Sequence, residues 1–330
     1  MEKGIGMSAV LDSKNEVLAG RSDRVLLVGV ARSGTSWLIR ALAATPGTLH
    51  YYEPDNVDSD PTGTRPVGRS GFGPYPMINP GDDGGMFRPL WDAAFAGRLP
   101  KVQQIDKGLK LQAVRAVLKL PRAVREPLIS AGSRVLTALP GGPERTVIKT
   151  IYAPFSLEWL TQRYDPRVVV IQRHPLNVVS SWRELKIPGF DLTSRPALLE
   201  KYRDRFEGDP LDANASELTK TAWQVGLLTT AIGDVLDKNP QWLMVDHEDL
   251  CDDPSVKIRA VCDRLGIPWS SSVDDFLNES NRPGEGLKPV RVTKEQPNRW
   301  RGRLTDDEVE EITSVLGRFP RKGWIREPSE

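Results

Sequence analysis

Short runs rich in Val, Ile and Leu alternate along the chain with longer stretches whose apolar positions recur every three to four residues. The first pattern fits a strand buried on both faces and the second a helix with one buried stripe, so their alternation is the rhythm of βαβ units around a parallel sheet. Five runs read as strands: Arg24–Val30, Thr48–Tyr52, Arg145–Lys149, Arg167–Gln172 and Gln241–Val245. They lack the strict apolar–polar alternation of a sheet with one wet face. Helices are therefore expected on both sides of a central parallel sheet, giving three layers.

Over 56–144 the rhythm breaks. Pro61–Pro89 is dense in Gly and Pro and is predicted to be a loop or lid rather than packed structure. Lys101–Leu139 is helix-prone and basic, with Lys107, Lys110, Arg115 and Lys119 beside Leu109, Leu111, Val114 and Leu118. Such a helix suits peripheral contact with a membrane surface. Exposed helix faces are ordinarily charged, so a solvated lid helix is preferred. One domain over 1–330 is expected, with 56–144 inserted as lid and acceptor region.

Charge acts mainly by exclusion. The chain has 45 Lys and Arg against 44 Asp and Glu, which leaves no overall electrostatic footprint for nucleic acid, so anion selectivity must be local. The opening stretch lacks the apolar core of a signal peptide, and nowhere do about eighteen apolar residues run together, a pattern read as cytoplasmic. Cys251 and Cys262, on or beside one helical pattern, would lie about 16 Å apart, too far to bridge. They are expected as free thiols, and no cluster has metal-ligand spacing.

Two segments carry candidate chemistry. RVLLVGVARSGTSWLIRAL runs from a buried strand through a tight turn into a helix beginning near Gly34, so free backbone N–H groups converge on an anion. Gly29 and Gly34 keep the spacing of a nucleotide-binding P-loop, but Thr35 stands where its lysine belongs, and Arg32 supplies the cation. The expected class is thus α/β with a sheet of P-loop NTPase-like type. In RVVVIQRHPLNVVSSWREL, Arg173 ends a strand and Pro175 opens a helix, at the sheet edge where ligands of parallel α/β folds collect.

Together ARSGTSW and RHPLNVVSS resemble the two cofactor signatures of sulfotransferases that use 3′-phosphoadenosine 5′-phosphosulfate (PAPS). VDHEDLCDDP with RLGIP, and NRWRGRLTDDE, are similar to further segments of that family in the expected order. Arg32 in the first loop looks like the bacterial and carbohydrate branch. The resemblance implies that Arg32, Ser33, Gly34, Thr35 and Ser36 hold the 5′-phosphosulfate, that Trp37 lies near the adenine, and that Arg173 and Ser181 grip the 3′-phosphate. Arg299 is chosen as a late cation on that phosphate, with Arg291, Lys294 and Arg301 competing. Equally, Trp37 could be core material, and Arg173 could cap a helix.

Sulfuryl transfer leaves 3′,5′-ADP, so charge builds on the bridging oxygen, and cations should stabilise it without a metal. Arg32 and Lys149, which ends a strand in TVIKTIYAP, are the candidates. An acceptor hydroxyl needs a base. Ile151 fills the position where the cytosolic branch places histidine, so Glu53 in LHYYEPDN is preferred over His50, which strand alternation should turn with Tyr52, opposite Tyr51 and Glu53. The acceptor reads as a small molecule or glycan: a sugar, a glycolipid or a phenolic metabolite. Rival readings are a P-loop kinase or hydrolase, encouraged by a Walker B-like strand ending in Asp246, and a silent nucleotide- or glycan-binding protein.

Overall fold

The computed structural model describes residues 18, 20–56, 74–99, 120–121, 124, 143–187, 192–208, 210–212, 214–284 and 291–320. Among them β1 (Arg21–Val28), β2 (Thr48–Tyr52), β3 (Arg145–Thr150), β4 (Pro166–Gln172) and β5 (Leu243–Asp246) form one parallel sheet ordered β2-β3-β1-β4-β5. Each expected strand is there. β1 ends at Val28 rather than Val30, because Gly29 and Val30 already belong to the turn.

Successive β1 side chains serve opposite layers, as a period of two requires. Leu26 and Val28 join one buried cluster, with Leu160 of α3 (Leu157–Tyr164), Val179 of α4 (Pro175–Glu184) and Trp223 of α6 (Glu217–Asp237). Val25 and Leu27 join the other, with Leu38 of α1 (Thr35–Ala43), Leu250 of α7 (His247–Asp252) and Val261 of α8 (Pro254–Leu265). The three-layer expectation holds. Shorter helices α2 (Phe87–Phe95) and α5 (Pro196–Lys201) border the first layer, and α9 (Ser271–Ser280) the second. Chain order closes with α10 (Asp306–Leu316), whose N-cap Thr305 and Glu308 satisfy each other's backbone N–H groups as a capping box.

The register fixes where the site lies. Val28 is opposite Thr150 of β3 and Val170 of β4, so the residues that leave these central strands emerge side by side at the carboxyl edge. Neighbouring strands lie about 4.8 Å apart, which brings the loops after β3, β1 and β4 within reach of one small ligand.

Inside the insertion, the described part of Pro61–Pro89 departs from expectation. It is irregular yet packed: Tyr75 and Ile78 are buried, Trp159 Nε1 donates to the Asp82 carbonyl at 2.9 Å, and α2 begins at Phe87. The proposed basic helix over Lys101–Leu139 lies outside the described residues but for 120, 121 and 124. Cys251 and Cys262 sit on separate helices, α7 and α8, as buried free thiols, and burial pushes each up to about 12. No described helix is long and apolar enough to cross a membrane.

Candidate active site

The turn after β1 is built on two left-handed residues, Arg32 with φ 73° and Gly34 with φ 95°. Gly34 has no substitute, since a Cβ there would lie 2.2 Å from His247 Cδ2. This turn starts α1 at the rim of a cleft of about 740 Å³, lined by Gly34, Thr35 and Ser36. A helix start leaves its first N–H groups without intrahelical partners, so the cleft receives their partial positive charge. Ser33 is buried beneath the loop and donates its N–H to the Val30 carbonyl at 3.1 Å, outside the lining.

Beyond β4, Arg173, its side chain buried, donates to the Arg32 carbonyl at 3.1 Å and to the Gln296 carbonyl at 3.3 Å. Burial pulls its guanidinium down to about 10, against the attraction of Glu248. Arg32 is lowered too, first by burial and then by Arg291, Arg303 and Arg299. Several cations therefore share a desolvated corner, where each raises the others' affinity for an anion. Arg32 Nε also donates to Ser181 Oγ at 3.1 Å. Ser181 itself is buried behind Arg32 rather than in the lining.

The late segment is clamped onto α4. Asn177 donates to the Pro297 carbonyl at 2.8 Å and accepts the Trp300 N–H at 3.1 Å, while Trp300 stacks on His174 at 5.8 Å. Arg291, Thr293 and Gln296 are thereby brought into the lining, whereas Arg299 sits on the adjoining turn outside it. Of the competing late cations, Arg291 faces the cleft.

Toward β2 and β3, the buried Lys149 ammonium donates to the Glu53 carboxylate and, at 3.1 Å, to Ser36 Oγ. One side chain thus links the anion loop to the candidate base. Strand alternation fails at Glu53. Its φ of 44° and the bond from its N–H to the Lys149 carbonyl, 2.6 Å, turn it into the cleft beside Tyr52 rather than away with Tyr51. His50 stays with Tyr52 as expected, rings 5.3 Å apart, but does not line the cleft. Behind Glu53, Asp55 is buried and receives the Thr150 hydroxyl on both oxygens, at 3.0 and 2.7 Å; burial pushes its carboxyl up to about 7.

Trp37 lines the cleft while donating Nε1 to Ser280 at 3.1 Å and packing on the second cluster, so both of its expected roles are available to it. His247 was missed as a lining residue. It meets Trp37 edge-on at 6.2 Å, and burial, then Arg173 and Arg32, hold it well below its usual range and hence neutral. Tyr75 lines the cleft too and was missed, as were Asp55 and Asn177, which stand behind the lining; Asn177 lies inside the RHPLN motif and Asp55 inside LHYYEPDN. Asp246 accepts from Gln172 and lies outside the lining, and no described group of three or more His, Cys, Asp or Glu is placed to hold a metal.

Residues 24–271 match the family model described as "Sulfotransferase family". No curated protein matches the chain. Similar solved structures include the sulfotransferase domain from the curacin biosynthetic pathway, at 13% identity over 92% of this chain and 99% of that one, TM-score 0.46. A mouse sulfotransferase complexed with PAP matches at 13% over 97% and 94%, TM-score 0.42. A sulfotransferase from Alicyclobacillus acidocaldarius matches at 17% over 92% and 98%, TM-score 0.39.

Proposed function

The chain belongs to the sulfotransferase family, and on that footing we propose that it moves the sulfuryl group of PAPS to an acceptor hydroxyl and releases 3′,5′-ADP. The observation that carries the donor assignment is the 3.1 Å bond from Arg32 Nε to Ser181 Oγ. A nucleotide phosphorylated at both the 3′ and 5′ positions of one ribose needs two anion sites within a ribose's reach. Arg32 with the α1 N-terminus forms the 5′ site, and Arg173, supported by Arg291, forms the 3′ site, with Ser181 behind Arg32 holding that side chain between them.

Transfer forms a bond between the acceptor oxygen and sulfur as the bond from sulfur to the bridging phosphate oxygen breaks. The electron pair of the broken bond stays on 3′,5′-ADP, where Arg32 and Lys149 stabilise it. The acceptor's proton passes to Glu53. Because Lys149 bonds both Ser36 and Glu53, the base and the leaving-group cation are held at a fixed spacing before either substrate enters. Thr35 and Ser36 complete the 5′ loop, and Trp37 offers a ring to the adenine.

Transfer of this kind runs on fixed cations and needs no metal. Calorimetry with 3′,5′-ADP and 5′-AMP tests the donor: far tighter binding of 3′,5′-ADP is expected, and equal affinities remove the assignment. Transfer from radiolabelled PAPS should survive excess EDTA. Loss on chelation with recovery on magnesium would favour the kinase reading.

A further inference from the structure

Two pairs of side chains join the end of β2 to the end of β3. The register sets Tyr52 opposite Lys149, so Glu53 and Thr150 are the next residues along each chain. In front, toward the cleft, the Lys149 ammonium donates to the Glu53 carboxylate. Behind the lining, the Thr150 hydroxyl donates to Asp55, standing 2.7 and 3.0 Å from its two oxygens. Asp55 is 1% exposed and Thr150 is fully buried, so bulk water does not compete for that bond.

The front pair depends on a backbone conformation that Glu53 does not favour. Its φ of 44° lies in the left-handed region, where a Cβ is crowded by the following carbonyl oxygen. Pro54 comes next, and a residue before proline prefers extended backbone. A continued strand would turn Glu53 away from Tyr52 and out of the cleft. The turn is therefore held by what surrounds it.

Two anchors on β3 hold it, one at each end. The Glu53 N–H donates to the Lys149 carbonyl at 2.6 Å where the turn begins, and Asp55 accepts the Thr150 hydroxyl where it ends. Between them Asn56 closes the turn on itself, its N–H on the Glu53 carbonyl at 2.9 Å and its Nδ2 on Glu53 Oε2 at 2.7 Å. The second anchor extends into the loop after β3. Thr150 Oγ accepts the Tyr152 N–H at 3.1 Å, and the Tyr152 ring lies 5.2 Å from that of Tyr75. One buried carboxyl thus ties the exits of both strands together from outside the cleft.

We propose that Asp55 is a positioning residue for transfer: through the Thr150 hydroxyl it holds the left-handed turn that keeps the Glu53 carboxylate in the cleft beside Lys149. This rests on the reading of Glu53 as the base given above. Without the bond, Glu53 relaxes toward extended backbone and the base parts from its cation. Arg32 and Arg173, which follow β1 and β4, keep their places.

The full-length protein is assayed for transfer from radiolabelled PAPS to cyclohexanol and to 4-nitrophenol, with 3′,5′-ADP affinity measured by calorimetry. Thr150→Val keeps the side chain's shape without its hydroxyl, and Asp55→Ala removes the other partner, so either suffices should the other not fold. Each should lower kcat on cyclohexanol about 10²-fold, the loss that a misplacement of about 1 Å produces, with 3′,5′-ADP affinity unchanged. Nitrophenol, which arrives ionised, should show a smaller defect, and Thr150→Val should add nothing in a Glu53→Gln background. Thr150→Ser and Asp55→Asn, which keep the bond, should stay near the parent rate. Full kcat in Thr150→Val overturns the proposal, as does a defect equal on both acceptors or one that adds to that of Glu53→Gln. Should the parent bind no 3′,5′-ADP, the transfer reading falls on its own. There, and where neither acceptor is used, crystal structures of the parent and Thr150→Val decide: Glu53 parting from Lys149 supports Asp55 as its anchor, and an unmoved Glu53 refutes it.

Discussion

Asn177 accepts the backbone N–H of Trp300 at 3.1 Å from inside α4, and its amide donates to the Pro297 carbonyl three residues earlier at 2.8 Å. A single buried side chain thus fastens the late segment on both sides of a turn. That segment carries Arg291 and Gln296 into the nucleotide end of the cleft.

Asn177→Ala should therefore cost stability and donor affinity together. Each buried group left unsatisfied costs roughly 1–3 kcal/mol, so urea unfolding should move to clearly lower midpoints. Affinity for 3′,5′-ADP should fall at least about tenfold as the clamp loosens. Lower stability with unchanged affinity would make the clamp a fold device without a part in binding.

Arg173 permits a more selective test. Its guanidinium lies under the Arg32 loop, and a charge-assisted bond to a 3′-phosphate is worth roughly 1.5–3 kcal/mol. Arg173→Ala should weaken 3′,5′-ADP by about ten- to a hundredfold and leave 5′-AMP nearly unaffected. Arg173→Lys keeps the charge but not the fork that reaches both the Arg32 and Gln296 carbonyls, and should recover only part of the loss. Equal losses for both nucleotides would assign Arg173 to the loop's integrity rather than to the phosphate.

The sheet was legible because strands covered on both faces read as unbroken apolar runs, and the anion loop because Gly29, Arg32 and Gly34 mark the backbone positions it needs. Resemblance picks out Glu53, but alternation along β2 turns it away from Tyr52, whereas it lines the cleft beside Tyr52. Alternation describes extended backbone, and nothing local announces that φ becomes positive at that residue. Asp55 stayed invisible because its partner Thr150 lies 95 residues away, a pairing only the β2–β3 register creates. Arg299 and Arg291 could not be ranked from spacing, since which of them faces the cleft depends on how Asn177 holds the segment.

Asp55 should leave a signature in stability against pH. Burial holds its folded carboxyl at about 7, well above the ordinary carboxylate range, so the native state holds its proton more tightly than the unfolded chain does. The sign follows: the contribution is fully present below about pH 4 and is lost as pH rises toward and past about 7. Across that window it amounts to roughly 4 kcal/mol. Asp55→Asn retains an acceptor for the Thr150 hydroxyl and cannot ionise, so urea unfolding at pH 5, 6, 7 and 8 should show a flatter profile and a variant more stable than the parent at pH 8. Parallel profiles would mean that Asp55 is ionised throughout.

Glu53 and Lys149 form one pair with two separable duties. Glu53→Gln keeps the size of the side chain and an oxygen for the Lys149 ammonium, while removing its capacity to take a proton. Folding and 3′,5′-ADP affinity should persist, and kcat on an aliphatic alcohol should fall by about 10²–10⁴, the usual contribution of a positioned base. The defect should shrink on nitrophenols, which arrive already ionised and need no base. Lys149→Ala should also slow transfer, but through lost charge stabilisation on the departing oxygen, so its defect should stay similar on alcohols and nitrophenols. The two dependences therefore cross when both variants are assayed on acceptors of falling pKa. If Glu53→Gln transferred at the parent rate to an aliphatic alcohol, the proton would have to leave by another group, and the pairing with Lys149 would serve only to hold the ammonium against Ser36.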